Sequence, residues 1–283
     1  MRATGGGLVD VIFCGTASGG NTFNPDRANA SVFVGDGEDC VLLDCGAGSL
    51  ERLVRAGRSV AEIDAIFLSH LHHDHVLALP EILMRRSFRG AGGPIPIYGP
   101  TGTSDFVNRA SHMVELLAGT RATASFEHGE VHEAQPGESV AVGQLTAVCV
   151  EVPHAPNLQS FGWRLTGSES SVVYSGDTSA STEVMVPFAQ DADLLIHDSY
   201  SEAALAQLLE SLPDERRAVA AEVVPATHGE VRQVGQIAAA AGVKRLALTA
   251  IFPQEEPDKL ERLASEGFSG PVTAAYDGLA IRI

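Results

Sequence analysis

The chain has 283 residues, with 19 Lys+Arg against 36 Asp+Glu and a formal net charge of −17 with histidine neutral. Only 19% of residues are charged while 45% are hydrophobic, which excludes a disordered acidic tail and suggests one large or two ordinary domains with a sizeable core. The acidity argues against a general nucleic-acid binder, whose affinity comes from Lys and Arg neutralising phosphates, but phosphate chemistry on a small substrate stays open because a bound metal supplies local positive charge.

Residues 8–13 and 31–34 read as strands, and 40–44 as a buried strand ending in Cys45-Gly46-Ala47-Gly48. Ser49 is a candidate N-cap for a short helix with Leu50, Leu53 and Val54 on one face and Gly57 closing it. Residues 63–68 give the next strand, and Val76 to Met84 a helix that Pro80 breaks or delays. An extended piece over 95–98 leads to a helix over 104–117. Residues 140–152 form a long strand or a hairpin turning at Gly143-Gln144. Residues 161–165 and 171–175 pair as antiparallel strands. The last third alternates strand 192–196, helix 201–210, helix 231–241 and strand 245–249, and short strands over 271–273 and 279–283 close the chain. No linker or low-complexity stretch divides it, so residues 1–283 are expected to form one α/β domain with much antiparallel sheet. Cys14, Cys40, Cys45 and Cys149 show no Cys-x-x-Cys pair and read as buried small residues. The opening Met1–Gly7 runs into a short, interrupted apolar stretch unlike a signal peptide, no segment has the length of a transmembrane helix, and a cytoplasmic location is expected.

Four of the ten histidines fall within His70-Leu71-His72-His73-Asp74-His75, directly after the strand over 63–68. On an extended chain residues two apart face the same way, so His70 and His72 present two imidazoles to one ion. A turn into a helix then swings Asp74 and His75 towards a second position. Imidazole suits zinc and other first-row metals, and carboxylate suits a harder or shared ion. A chance His-rich patch of the tag kind would sit at a terminus, without the interleaved Asp74 or the apolar strand feeding it. Further ligands are needed, and His154 and Asp177, each just after a strand-like run, are the candidates.

These residues resemble the metallo-β-lactamase superfamily over nearly the whole chain, and within it the ribonuclease Z-like branch. His70 to His75 fits the His-x-His-x-Asp-His motif. Supporting stretches are Phe13-Cys14-Gly15-Thr16, Leu43-Asp44-Cys45-Gly46, Val152-Pro153-His154 with Phe161-Gly162-Trp163, Tyr174-Ser175-Gly176-Asp177-Thr178, Leu194-Leu195-Ile196-His197, Thr227-His228 and Tyr276-Asp277-Gly278. The resemblance implies an αββα sandwich of two mixed sheets flanked by helices. It implies a first metal on His70, His72 and His154, a second on Asp74 and His75, and Asp177 bridging them, with Asp44 as a support rather than a ligand. Zinc is the implied metal, with manganese or iron as others that such donors accept. The function it implies is a metal-dependent hydrolase in which Asp74 orients or deprotonates the attacking water and His228 aids proton transfer or holds a phosphate oxygen. His197 is implied to be structural or to support a ligand, and a homodimer follows by analogy.

Two departures stand out. The last ligand of the superfamily is a His after a Leu-x-Leu-Thr strand, and here Leu246-Ala247-Leu248-Thr249 is followed by Ala250. The second site then keeps Asp74, His75 and Asp177, so weaker occupancy and lower activity are expected. Natural divergence and a deliberate His→Ala replacement both account for Ala250, and the family-like residues around it favour the second. The other departure concerns substrate. The tRNA-processing members carry a long basic arm, whereas residues 155–176 here contain Arg164 as their one basic residue. Arg85, Arg86 and Arg89 form a small basic run that a solvated helix face explains equally well. A small phosphodiester is therefore the favoured substrate, with no long nucleic acid and no membrane as partners. A lactone, acyl ester or aryl sulfate is the alternative within hydrolases, and a degenerate, non-catalytic metal-binding module the alternative outside them. His112, His128 and His132 lie in no motif and receive no role.

Overall fold

A computed structural model describes residues 9–19, 26–89, 94–118 and 129–283 of the chain; Leu8, the segment Met1–Gly7 and His128 lie outside them. Apolar runs bounded by turn residues become strands. β1 (Val9–Gly15), β2 (Ser31–Asp36) and β3 (Asp39–Leu43) run antiparallel in sequence. Beyond α1 (Ser49–Arg55), β4 (Ala65–Phe67), β5 (Ile97–Gly99) and β6 (Val131–Glu133) add in parallel to β3. Ser49 is not the cap expected of it: Gly48 takes that place at φ 81°, and the Ser49 hydroxyl, one residue inside the helix, donates to the Gly46 carbonyl at 2.6 Å. The chain breaks at Leu77 between α2 (His73–Val76) and α3 (Leu79–Arg89), so that Pro80 falls in a first helical turn, where its missing N–H costs nothing. α4 (Thr103–Ala118) follows β5.

The second half builds a second sheet. β7 (Ser139–Val142) and β8 (Leu145–Glu151) resolve the 140–152 ambiguity as a hairpin with Gly143 at φ 57° in its turn. β9 (Phe161–Thr166) pairs antiparallel with both β8 and β10 (Ser171–Tyr174). After α5 (Thr182–Phe188) comes β11 (Leu194–Asp198), then a helical hairpin of α6 (Glu202–Ser211) and α7 (Asp214–Thr227). α8 (Val231–Ala240), β12 (Leu246–Thr249), α9 (Pro257–Ser265) and β13 (Val272–Ala274) complete that sheet, with β10 to β13 all parallel. β14 (Ala280–Arg282) returns to pair with β1.

Among the described residues this gives two mixed sheets of seven strands, ordered β14-β1-β2-β3-β4-β5-β6 and β13-β12-β11-β10-β9-β8-β7. Their inner faces share one apolar layer that includes Val11, Phe13, Phe67, Trp163, Leu165 and Leu194. On the outer faces, α1, α3 and α4 cover the first sheet and α5, α8 and α9 the second, through Leu53, Ile66 and Leu83 on one side and Met185, Ile237 and Leu260 on the other. This is a metallo-β-lactamase-like αββα sandwich, a layered solution for two sheets that are each apolar on both faces. All four cysteines are buried and free. No helix among the described residues is long and apolar enough to cross a membrane.

Trp163 ties the sheets together. It is fully buried, its ring centroid lies 4.8 Å from that of Phe67 on the facing sheet, and its indole N–H donates to the Leu68 carbonyl at 3.0 Å. Replacing Trp163 with Phe should lower the unfolding free energy by about 1–3 kcal/mol, because a buried carbonyl loses its donor in addition to the lost ring contact. Denaturant midpoints of the two proteins measure this.

Candidate metal centre

In both sheets the parallel strands end on the same side of the sandwich, and the loops leaving them carry the chemistry-bearing residues. Asp44 follows β3, with φ 56°, and is fully buried. Its carboxylate accepts from the Ser69 backbone N–H at 2.7 Å, from the Ser69 hydroxyl at 2.7 Å, from the Tyr174 hydroxyl at 2.8 Å and from His75 Nδ1 at 2.7 Å. Four donors around one carboxylate fix the start of the histidine loop and orient the His75 ring, leaving His75 Nε2 free to face the centre. There it stands 3.4 Å from Asp74 Oδ2 and 3.4 Å from Asp177 Oδ2.

Three other imidazoles converge beside it. His72 Nδ1 lies 3.0 Å from His70 Nε2 and 3.2 Å from His154 Nε2. The far nitrogens of two of these rings are engaged elsewhere: His154 Nδ1 donates to the Thr227 carbonyl at 2.9 Å, and His70 Nδ1 meets the Ser69 hydroxyl at 3.0 Å. Asp177 enters on the turn after β10, where Gly176 sits at φ +60° and a Cβ would come within 2.8 Å of Ser69 Cβ, so glycine is required for the two sheets to approach here.

The donor chemistry fits a cation. Two imidazole nitrogens 3.0 Å apart share one proton, but a third nitrogen aimed at the same point has none to accept, whereas a zinc-sized ion at about 2.0–2.1 Å from each satisfies all three. His70, His72 and His154 form one such group, and His70, His75 and Asp177 a second. Burial, then the charge of His75, holds His70 well below the ordinary imidazole range, and burial with His154 lowers His72, so both offer lone pairs. Burial works against the charges of His75 and Asp177, yet Asp177 and Asp44 hold His75 well above its ordinary value, and His75 and His228 hold Asp177 well below the carboxylate range.

His228, the C-cap of α7, joins the same cluster. Its Nδ1 donates to Asp198 Oδ2 at 2.8 Å and lies 3.8 Å from Asp177 Oδ2. Burial alone would lower its pKa, but the hydrogen bond to Asp198 and the Asp177 charge raise it to about 9. In the metal-free protein these shifts set opposite limbs. His70 and His72, depressed on folding, contribute stability that is lost as pH falls below about 6.5. His228, raised on folding, contributes stability that is full below about 6.5 and lost as pH rises towards 9. Thermal unfolding of chelator-treated protein is expected to show this alkaline decline, and His228→Gln to lessen it, leaving the part that the likewise raised His75 contributes.

His70, His72, Asp74, His75, His154, Asp177 and His228 thus meet at one place. Ala250 follows β12 beside the end of β11, is buried and offers no donor; it keeps a left-handed backbone at φ 54°. His197 is fully buried with Nδ1 on the Asp198 carbonyl at 2.8 Å. His112 bonds the Asn108 carbonyl within α4, and His132 stacks on Tyr98, both away from the centre. The basic run is a solvated face only in part: Arg85 is exposed and pairs with Glu81 at 2.6 Å, while Arg86 is buried and donates to the Val60 and Ile63 carbonyls. The Arg89 side chain lies outside the described residues. Sequence reasoning missed Asp198; a carboxylate ending a buried strand, as Asp44 does, was the signal for it.

A protein-family model described as "Anti-Pycsar protein Apyc1" matches residues 9–221. Ribonuclease Z of Mycobacterium bovis (strain BCG / Pasteur 1173P2) is 28% identical over 288 residues, covering 95% of this chain and 96% of its own. The metallo-β-lactamase fold protein YhfI from Bacillus subtilis superposes with a TM-score of 0.75 at 24% identity, covering 96% of this chain and 99% of its own. The short form of human tRNase Z gives a TM-score of 0.71 at 24% identity, covering 96% and 98%.

Proposed function

The chain belongs to the family described as Anti-Pycsar protein Apyc1 and to the ribonuclease Z-like branch of the metallo-β-lactamase superfamily, and from that premise we propose that it is a metal-dependent hydrolase of a small phosphodiester. The observation that carries the reading is the convergence of His70, His72, His154, Asp74, His75 and Asp177 next to a His228–Asp198 pair. His70, His72 and His154 would hold one zinc ion, Asp74 and His75 a second, with Asp177 between them. When bound, such ions supply Lewis acidity that activates water near neutral pH and polarises the substrate.

The chain's own groups do the rest. Asp74 orients the attacking water and accepts its proton. His228 carries the proton that goes to the leaving oxygen, and Asp198 holds its ring in the donating orientation and favours the charged form. Small size of the substrate is supported by residues 155–176, which make a short connection and the β9–β10 hairpin rather than an arm, and by the net charge of −17. On this reading residues 1–283 form one hydrolase domain acting in the cytoplasm, on a small molecule and on neither long nucleic acid nor membrane, as a homodimer by analogy with its superfamily. The test is chelator-sensitive hydrolysis of bis(p-nitrophenyl) phosphate, with precursor tRNA, a lactone, a phenyl ester and an aryl sulfate alongside. Zinc-dependent turnover of the diester supports the reading, and turnover confined to another substrate overturns it.

Ala250 favours a second reading, a non-catalytic metal-binding module. Ala250→His should supply the second site with a fourth donor, raise zinc content towards two ions per chain and increase diester hydrolysis. If zinc content rises and no substrate is turned over by either protein, the module reading stands.

A further inference from the structure

Asp177, Asp198 and His228 each offer a ligand atom within 4.8 Å of the other two. They arrive from different places, Asp177 after β10, Asp198 at the end of β11 and His228 after α7. His228 Nδ1 is 2.8 Å from one carboxylate and 3.8 Å from the other, which brackets the spacing of about 3.3–3.6 Å between donors that hold a zinc-sized ion at roughly 2.0–2.2 Å. Asp198 is fully buried and its second oxygen, Oδ1, makes no hydrogen bond, although His197 Nδ1 stands 3.1 Å away. Two buried carboxylates therefore share the His228 imidazole, Asp177 having His75 as its other cationic neighbour, and Asp198 keeps one buried oxygen without a hydrogen bond. Thr249 pairs with Asp198 across β11 and β12, so residue 250 continues the neighbouring strand past this group, and Ala250 places no donor there.

We propose that Asp177, Asp198 and His228 form an inhibitory divalent-cation position, filled when metal exceeds what the catalytic centre takes. The proposal rests on the hydrolase reading for its inhibitory effect. A cation seated there would take the Nδ1 lone pair of His228 and release that nitrogen's proton to solvent, leaving a neutral ring whose remaining Nε2–H is a far weaker acid towards the leaving oxygen than the imidazolium. It also shares Asp177 with the catalytic centre, which ties its occupancy to that of the second metal.

Crystals of the wild-type protein soaked in rising zinc concentrations, with anomalous differences at the zinc edge, test the position without any activity measurement. The expected result is a peak among Asp177, Asp198 and His228 that fills after the peak among His70, His72 and His154; no peak there at millimolar zinc overturns the proposal. In solution, wild-type diester hydrolysis should rise and then fall with added zinc, and Asp198→Asn should raise the half-inhibiting concentration at least tenfold. An unchanged midpoint in a folded Asp198→Asn protein overturns the inhibitory role. Absence of turnover on every substrate sinks the hydrolase reading, while the anomalous peak still decides the cation position.

Discussion

Replacing His70 with alanine is expected to abolish retention of the first metal and to reduce diester hydrolysis by more than 100-fold. The reasoning starts from geometry: His70 Nε2 and His154 Nε2 flank His72 Nδ1 at 3.0 and 3.2 Å, and His70 also belongs to the group with His75 and Asp177. No other ring among the described residues belongs to both groups, so its removal weakens both. Loss of a partner one shell out from a metal costs about 10–100-fold in affinity or activity, and loss of a donor exceeds that. The His70 imidazole is fully buried, and alanine would leave a small apolar gap against Ser69 and His75 that no neighbouring donor fills. Zinc content after dialysis, read by atomic emission, checks the first half of the expectation and hydrolysis rates the second. A His70→Ala protein that keeps its full zinc content would refute the ligand assignment.

Asp44→Ala should be the more damaging change to the fold, costing about 3–5 kcal/mol of stability, the range for breaking a buried charged pair by removing one partner. Alanine strands the Ser69 N–H and hydroxyl, the Tyr174 hydroxyl and the His75 ring nitrogen, all of which now end on one carboxylate. It also places an ordinary side chain at φ 56° without the local hydrogen bonding that lets Asp adopt that conformation. Asp44→Asn keeps the shape and one acceptor oxygen but turns an amide N–H₂ towards a donor, so it should cost less than alanine while still freeing the His75 ring. Urea midpoints order the three proteins, and zinc affinity should fall by about 10–100-fold in both variants, since neither directly removes a ligand.

The histidine loop was legible in the sequence because its donors are neighbours along the chain: a two-residue spacing on an extended segment needs no knowledge of the fold. His154 and Asp177 were legible because each closes an apolar run. Asp198 offered only its place at the end of a buried strand, since its partners come from the parallel register of β10, β11 and β12, which brings Tyr174, Ile196 and Ala247 abreast and so gathers residues far apart in sequence. Helices with a buried stripe were readable, as α8 was. α7 was not: almost its whole length is exposed, it contains Pro225, and it presents no apolar period to detect. α9 was passed over although Pro257 stands at its start, and β6 is too short and too exposed to alternate. Ser49 misled because a serine before an apolar run marks a helix start to within one residue only.

The candidate ligands divide between the two halves of the sandwich. His70, His72, Asp74 and His75 leave β4 of one sheet, while His154 and Asp177 follow β8 and β10 of the other. An ion held by His70, His72 and His154 would act as a removable cross-link, closing a loop from His72 to His154 and so restricting the unfolded chain much as a long-range disulfide does, by an entropy of about 4.5 kcal/mol at this span. Chelation would then loosen the sandwich at its loop end first. In hydrogen exchange, the amides of residues 69–75 and 175–178 should lose protection together, ahead of the Trp163 layer.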